Sequence, residues 1–396
     1  MCALRRGPFE FRLSQRGMRA ALAVSRVASR GQPVDRAWLE TAATLSFLRF
    51  GGDTRACRLF LEVVRQPALP GSASLVERLA AALDIPPAER ASSIQRAEQV
   101  AARALADADE RGLSGVPIGA IGYPNLLRHL PDPPLVLWTK GDPDWLARPA
   151  VAVVGSRAAA PAGLAIARTL ARDLARAGLV VVSGLARGID AAAHEGALEA
   201  DGATVAVLGC GADRVYPAEH RSLSARIIEH GAIVSELPPG MPPLAHHFPL
   251  RNRIISGLSL GVVVVEAGLK SGSLHTARAA LEQGRSVLAV PGAILSGRHR
   301  GSHALIKDGA RLVESADDVL EELRWPLPST GSPAQPTKSL QIRGLEGTMA
   351  VGEPYSVDDL AARTGRSTPD LLAELGALEV EGRITRMAGG SYIRLD

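Results

Sequence analysis

Three short segments of this chain combine glycine, hydroxyl and arginine in a way suited to holding an anion. They are Gly155-Ser156-Arg157, Ser183-Gly184-Leu185-Ala186-Arg187-Gly188-Ile189-Asp190, and Gly209-Cys210-Gly211. Glycine lets backbone N–H groups approach a bound anion, and a following helix N-terminus adds positive potential. Arg157 and Arg187 stand where each could clamp a phosphate through two parallel N–H bonds. One such turn alone reads as an ordinary tight strand-to-helix connection. Three, two of them with arginine, predict a phosphate or polyanion site built from Gly155, Ser156, Arg157, Ser183, Gly184, Arg187 and Gly188.

A second group is Phe248-Pro249-Leu250-Arg251-Asn252-Arg253-Ile254-Ile255-Ser256, preceded by His246-His247. Arginines for phosphates and an aromatic face for a base suit a strand of nucleic acid, with Phe248, Arg251 and Asn252 extending the site. The competing reading is a helix start with Phe248 and Ile254 in the core and its arginines in solvent. A third group, Ser271-Gly272-Ser273, offers hydroxyls and free N–H groups at another helix start, or simply a capped helix.

Nucleotide cofactors are disfavoured. No G-x-G-x-x-G follows the first predicted strand of the alternating region, and no acid ends the second. Gly268-Leu269-Lys270-Ser271-Gly272 has the letters of a P-loop in the wrong order. Catalytic groups are sparse: Asp190 and His194, four apart on one helix, could pair, or could be a cap and a packing residue. His246-His247 lacks a third metal ligand at suitable spacing, and Cys210 has no base nearby in sequence. We expect no cofactor, no metal, no catalytic residue and no enzyme activity.

These groups need a scaffold, and the chain supplies one. Strands are predicted at Ala150–Val154, Leu179–Val182, Thr204–Leu208, Ala232–Ser235, Val262–Val265 and Ser286–Val290, with helices between several of them. Ile166, Leu170 and Leu174 form a helical stripe behind Pro161, which occupies a first-turn position. Continuous apolar strands separated by helices mean a mostly parallel sheet covered on both faces, a Rossmann-like doubly wound α/β domain. Ligands of such sheets bind beyond the strands' C-terminal ends, where the glycine turns fall.

The rest divides by composition. Residues 1–110 read as a helical region of unassigned role and 111–326 as the α/β domain. Residues 327–340 read as a Pro/Ser/Gly linker and 341–396 as a winged-helix-like domain. In the last, helices are expected at Ser356–Thr364, opening with an S-x-x-D start, and at Thr368–Leu378. Short strands are expected at Gly382–Met387 and Ser391–Leu395. With 46% hydrophobic and 22% charged residues, the chain has the balance of a folded protein. Its net charge of +4 permits nucleic acid without demanding it. Cys2, Cys57 and Cys210 form neither a disulfide framework nor a zinc site. No secretion signal or membrane span is expected, and a reducing cytoplasm is the simplest setting.

Taken together, the motifs resemble the DprA/Smf family. The matching segments run in order from about 115 to 320: Tyr123-Pro124; Pro133-Pro134-Leu135 to Lys140-Gly141-Asp142; Val154-Gly155-Ser156-Arg157; Ser183 to Asp190 with His194; Ala206 to Gly209 with Tyr216-Pro217. They continue through Phe248-Pro249 with Arg251 to Ile255, Ser271-Gly272-Ser273 with Thr276-Ala277, Gly284-Arg285 with Pro291-Gly292, and Leu305-Ile306 with Gly309-Ala310. The resemblance implies a homodimeric, cytoplasmic binder of single-stranded DNA that helps load the RecA recombinase during natural transformation or recombination. It further implies Arg157 and Arg187 as principal phosphate contacts, Gly155, Ser156, Ser183, Gly184 and Gly188 as the pocket lining, and Phe248, Arg251 and Asn252 as its extension.

His303 stands where the family usually has asparagine. The tail resembles the family's winged helix, yet residues 339–396 hold 6 basic and 9 acidic residues, a net charge of −3. Its expected recognition helix carries Asp370 and Glu374 and no cation, which points to a protein-interaction module rather than a reader of duplex. The alternative for the whole chain is a nucleotide phosphoribohydrolase of the lysine-decarboxylase-like family. That family's P-G-G-x-G-T-x-x-E motif would fall near Ser271–Thr276, but Ala279 occupies the place of its carboxylate.

Overall fold

The structure, a computed structural model, describes residues 36–48, 76, 85–325, 345–349, 354–380, 383–386 and 391–394. The proposed linker, 327–340, lies outside the described residues. So do Gly51-Gly52 and Pro67 to Gly71, whose composition marks breaks within the helical N-terminal region.

Two helices, α1 (Arg36–Leu48) and α2 (Pro87–Glu110), precede the sheet. Strand β1 (Ser114–Pro117), the short helix α3 (Asn125–Arg128) and β2 (Val136–Gly141) follow. The alternating region then runs β3 (Ala150–Val154), α4 (Pro161–Arg176), β4 (Val180–Ser183), α5 (Ile189–Glu199), β5 (Thr204–Val207), α6 (Arg221–His230) and β6 (Ala232–Ser235). It continues α7 (His247–Gly257), β7 (Gly261–Val264), α8 (Ser273–Glu282), β8 (Ser286–Ala289), α9 (Arg300–Lys307), β9 (Arg311–Leu312) and α10 (Ala316–Glu322). The six predicted strands are present, each within a residue of its expected bounds.

These strands lie in one nine-stranded sheet of order β1-β2-β6-β5-β4-β3-β7-β8-β9. From β6 to β9 all pairs are parallel. The β1–β2 pair adds antiparallel through β2 to β6, an edge the sequence reading did not resolve. Chain order reverses at β3: β4 lies on one side and β7 on the other, so α4 and α8 leave on opposite faces. That divergence opens a crevice beyond the C-terminal ends of β3 and β7, the topological switch point.

Alternation along each strand sorts the core. Ala152, Val154, Val182, Val207 and Val264 face α7 and α8, packing on Ile254, Ile255, Ala277 and Ala280. Val151, Val153, Val181 and Val263 face α4, α5 and α10, packing on Leu170, Leu174, Ala193 and Val319. Fully burying a valine contributes roughly 1.5–3 kcal/mol, which makes these strands the rigid frame of the site. Helices α1 and α2 pack Leu39, Ala42, Ala101 and Leu105 over Trp138 and Ile233, and Trp38 Nε1 donates to the Ile118 carbonyl at 2.8 Å. The N-terminal region therefore extends the core.

The tail forms a separate small core around Leu345, Tyr355, Leu360, Leu371, Leu375 and Ile384. Strands β10 (Pro354–Tyr355), β11 (Ile384–Arg386) and β12 (Tyr392–Arg394) pair in the order β10-β12-β11 beside α11 (Val357–Thr364) and α12 (Thr368–Val380). Ser356 and Asp359 form the capping box that the S-x-x-D start predicts, and Gly365 ends α11 at φ 66°. This is a winged helix.

Candidate nucleic-acid interface

The loops after β3 and β4 are locked together at the switch point. Ile189 N–H donates to the Ser156 carbonyl at 3.1 Å, and Ser156 N–H donates to the Glu266 carbonyl, beyond β7, at 2.7 Å. Gly188 has φ 75°, and a Cβ there would fall well inside contact with the Ser156 carbonyl oxygen. At Gly155 a Cβ would lie 2.6 Å from Ile189 Cγ1. Only glycine permits this approach at either position.

Two carboxylates hold the loops from below. Asp190 Oδ2 accepts the Gly184 and Ala186 N–H groups at 3.1 and 3.4 Å. Burial raises the Asp190 pKa, with the Arg251 charge and these hydrogen bonds opposing it. Glu266, only 1% exposed, accepts the Ala160 N–H at 3.1 Å. Arg298 donates to the Ala158 carbonyl at 2.8 Å from the outside. Among the described residues, the backbone N–H groups of Arg157, Arg187 and Gly188 have no acceptor within the chain. With the N-terminus of α5 directly behind them, they form an anion-accepting edge.

Arg157 is exposed, and its guanidinium lies 5.5 Å from the Phe248 ring centroid. Phe248 rests on Gly209, where a Cβ would lie 2.9 Å from its ring, and meets Tyr216 at 5.5 Å between centroids. Phe248 is half-buried and Tyr216 exposed, so the two rings form one aromatic step beside the arginine. The sequence reading named Tyr216 only as part of a motif; its place beside Phe248 depends on a contact across 32 residues of chain.

Arg187 is also exposed but not free. Its Nε and Nη2 donate to Glu219 Oε1 and Oε2 at 2.6 and 2.7 Å. Nothing near Arg187 in sequence announces this partner.

Three expected contacts are corrected. Arg251 is buried, and its Nη1 donates to the carbonyls of Gly184 (2.8 Å) and Val207. It lies on the stripe of α7 that carries Ile254 and Ile255 into the sheet, and burial pushes its pKa down to about 10. Arg253 is half-buried and pairs with Asp132 at 3.0 Å and with Glu236 at 2.6 Å. Ser183 is fully buried, its hydroxyl donating to the Val153 carbonyl at 2.7 Å. Ser183 and Gly184 are thus the floor of the crevice, and Arg251 braces that floor.

Asn252 is half-buried and donates through Nδ2 to the Gly272 carbonyl at 3.4 Å, which ties α7 to the loop before α8. In that loop Ser271 Oγ and Ser273 Oγ are 2.7 Å apart, and Ser271 Oγ accepts the Ser273 N–H at 3.4 Å. Gly272 is exposed and Ser273 buried. The hydroxyls therefore bond to each other within the loop, and the N-cap of α8 is Gly272 with no side-chain cap, so neither serine caps the helix as the alternative reading expects.

Asp190 and His194 do not pair. His194 Nδ1 lies 2.7 Å from Thr204 Oγ1, which donates its own proton to the Val181 carbonyl at 2.7 Å. That network puts the imidazole hydrogen on Nδ1, and burial lowers the His194 pKa to about 3, leaving a neutral packing residue. Cys210 is buried, donates to the Arg214 carbonyl at 3.3 Å, and is pushed up to about 11 by burial. Among the described residues no His, Cys, Asp and Glu group is arranged to hold a metal, and no helix is long and apolar enough to cross a membrane. His303 Nε2 lies 3.0 Å from the Gly292 carbonyl, so the ring occupies that pocket edge as a backbone partner. In the winged helix, Glu374 accepts the Leu345 N–H at 2.9 Å and pairs with Arg366, while Asp370 accepts from Ser367 Oγ at 2.6 Å. Asp370 and Glu374 of α12 thus have internal partners.

An open parallel sheet with interlocked glycine loops at its switch point defines a Rossmann-like protein with an anion-accepting edge. Comparison with known proteins makes the assignment specific. A family model described as DNA recombination-mediator protein A matches residues 116–324, more than half of the chain, and one described as the DprA winged helix domain matches residues 333–390. The chain belongs to the DprA/Smf family of DNA-processing proteins. It is 44% identical to protein Smf of Escherichia coli over 289 residues, covering 71% of this chain and 77% of that one. It is 48% identical to DNA processing protein DprA of Streptococcus pneumoniae over 203 residues, 51% of this chain and 72% of that one. The X-ray structure of the S. pneumoniae protein superposes with TM-score 0.63 at 38% identity, covering 72% of this chain and 97% of that one. DNA processing protein A of Helicobacter pylori, whose structure concerns its single-stranded DNA binding mode, superposes with TM-score 0.50 at 31% identity, covering 55% of this chain and 97% of that one.

Proposed function

We propose that this chain binds single-stranded DNA along the C-terminal edge of its parallel sheet and hands it to recombination, helping to load RecA. The observation that carries the reading is Arg157, exposed and without a carboxylate partner among the described residues, held over Phe248 by a loop that two other loops lock in place. An arginine beside an aromatic step fits a backbone phosphate next to an unstacked base, the combination that recognises single strands without sequence preference. Arg157, Gly155, Ser156, Arg187 and Gly188 hold phosphate in this reading, and Phe248 with Tyr216 supports a base. Ser183 and Gly184 shape the floor, while Asn252, Ser271, Gly272 and Ser273 continue the path.

The protein acts by binding rather than by chemistry. Its buried carboxylates, Asp190 and Glu266, are engaged by loop N–H groups, and His194 is neutral and enclosed. A cytoplasmic homodimer is part of the same reading. The test is fluorescence anisotropy of labelled dT20. The wild type should bind, with Arg157→Ala weaker; absence of binding by the wild type overturns the reading.

A further inference from the structure

We infer that the hollow before α8 is a second phosphate subsite on the same DNA strand, with Lys270 and Arg278 as its cations and His275 as a hydrogen-bonding side chain beside them; this rests on the single-strand reading above. The hollow has a volume of about 200 Å³ and is lined by Leu269, Lys270, Ser271, Leu274, His275 and Arg278.

Several arginines of the α/β domain are matched: Arg111 with Asp213, Arg168 with Glu195, Arg187 with Glu219, Arg253 with Glu236, Arg311 with Glu321. Lys270, His275 and Arg278 are exposed, and among the described residues no carboxylate lies within ion-pair distance of any of them. Glu282, one turn beyond Arg278 on α8, forms no pair with it. Unmatched cations that converge on a concave surface focus positive potential there, which attracts an anion.

Asn252 Nδ2 joins α7 to the Gly272 carbonyl at 3.4 Å, so the helix that carries Phe248 leads to the loop that carries Lys270. Phe248 and Asn252 are separated by about 6 Å along the axis of α7. A strand that stacks a base on Phe248 and runs along α7 therefore brings a following phosphate to the hollow. Leu269, 58% exposed, gives the adjoining sugar or base an apolar wall.

Lysine, arginine and imidazole donors beside the Ser271 hydroxyl are a phosphate-binding set, and nothing in the hollow is arranged as a nucleophile or a base. The occupant is a phosphodiester held by charge and hydrogen bonds.

The experiment is dT20 binding across a salt series by the full-length wild type, Lys270→Ala/Arg278→Ala, Lys270→Gln/Arg278→Gln, Arg157→Ala and, as a control outside both sites, Arg226→Ala on α6. Both pair variants should bind about tenfold more weakly at low salt. Their log–log salt slope should be shallower by about 0.7 per phosphate released. Arg226→Ala should match the wild type. If the pair variants match Arg226→Ala while Arg157→Ala is weakened, the subsite is overturned and the single-strand reading stands. If the wild type does not bind dT20, the reading fails and the subsite falls with it. Unchanged DNA binding together with salt-sensitive capture of polyglutamate that is lost in the pair variants assigns the hollow to an acidic peptide and likewise overturns the proposal.

Discussion

Arg187 and Glu219, 32 residues apart, face each other through two parallel hydrogen bonds at the rim of the anion-accepting edge. A carboxylate there presents the same two-oxygen geometry as a phosphate. Both side chains are exposed, so the pair contributes little to stability and is cheaply exchanged for a phosphate. The hydrogen bond from Arg187 holds the Glu219 carboxyl below its ordinary range, so it stays charged and competes at neutral pH. Glu219→Gln should therefore tighten dT20 binding several-fold and steepen its salt dependence, with unfolding unchanged. Weaker binding would show that Glu219 positions Arg187 for DNA instead of competing for it.

Arg157 and Phe248 act on different parts of a nucleotide, and their variants should differ accordingly. Arg157→Ala should flatten the log–log salt slope by about 0.7, the value for one phosphate on a single strand. Phe248→Ala should cost about 1–3 kcal/mol of binding through lost stacking, with the slope retained. A salt series on both variants separates the two effects.

Arg251 offers the opposite pattern. Its guanidinium satisfies two buried carbonyls beside the buried Asp190, so Arg251→Ala leaves polar groups without partners and a carboxylate without its counter-charge. Urea unfolding should show a loss of about 3–5 kcal/mol. If the variant keeps wild-type stability and loses only DNA affinity, Arg251 is a phosphate contact after all.

The contrast among these arginines marks what sequence makes legible. The parallel strands could be read because Ala150–Val154 and Val262–Val265 are continuous apolar runs between helices, a pattern that burial on both faces requires. The glycine turns could be read because their spacing follows those strands. Arg251 and Arg253 could not. Whether a helical arginine faces water or core depends on the phase of α7 against the sheet, and on Asp190, Glu236 and Asp132, which arrive from distant segments. The β1–β2 pairing escaped for a similar reason, since setting Ser114 against Thr139 fixes a register across an intervening segment that includes α3. The acids of α12 read as an exposed charge pattern, yet Glu374 and Asp370 cap and pair within their own small domain.

His194 makes stability depend on pH. Its folded pKa is about 3 against an ordinary 6.5, so between those values the unfolded chain takes up a proton that the folded protein excludes. Stability must fall as pH drops through that window, by up to about 1.4 kcal/mol per pH unit. Asp190, with its pKa raised, works in the other direction at the acidic end, so the His194 contribution is best read as a difference. Urea unfolding of wild type and His194→Gln at pH 7.5 and 5.0 should show a smaller pH effect in the variant. Equal pH dependence would mean that His194 does not titrate differently on unfolding.

The central claim is that the interlocked glycine loops and their arginines hold a single strand. It is tested most directly by equilibrium binding of dT20, and of a duplex of equal length, to wild type and to Arg157→Ala/Arg187→Ala. The wild type should bind the single strand tightly and the duplex more weakly, and the double variant should show lower dT20 affinity and a salt slope flatter by about 1.4, two phosphates' worth. A double variant that binds dT20 as the wild type does, at every salt concentration, contradicts it.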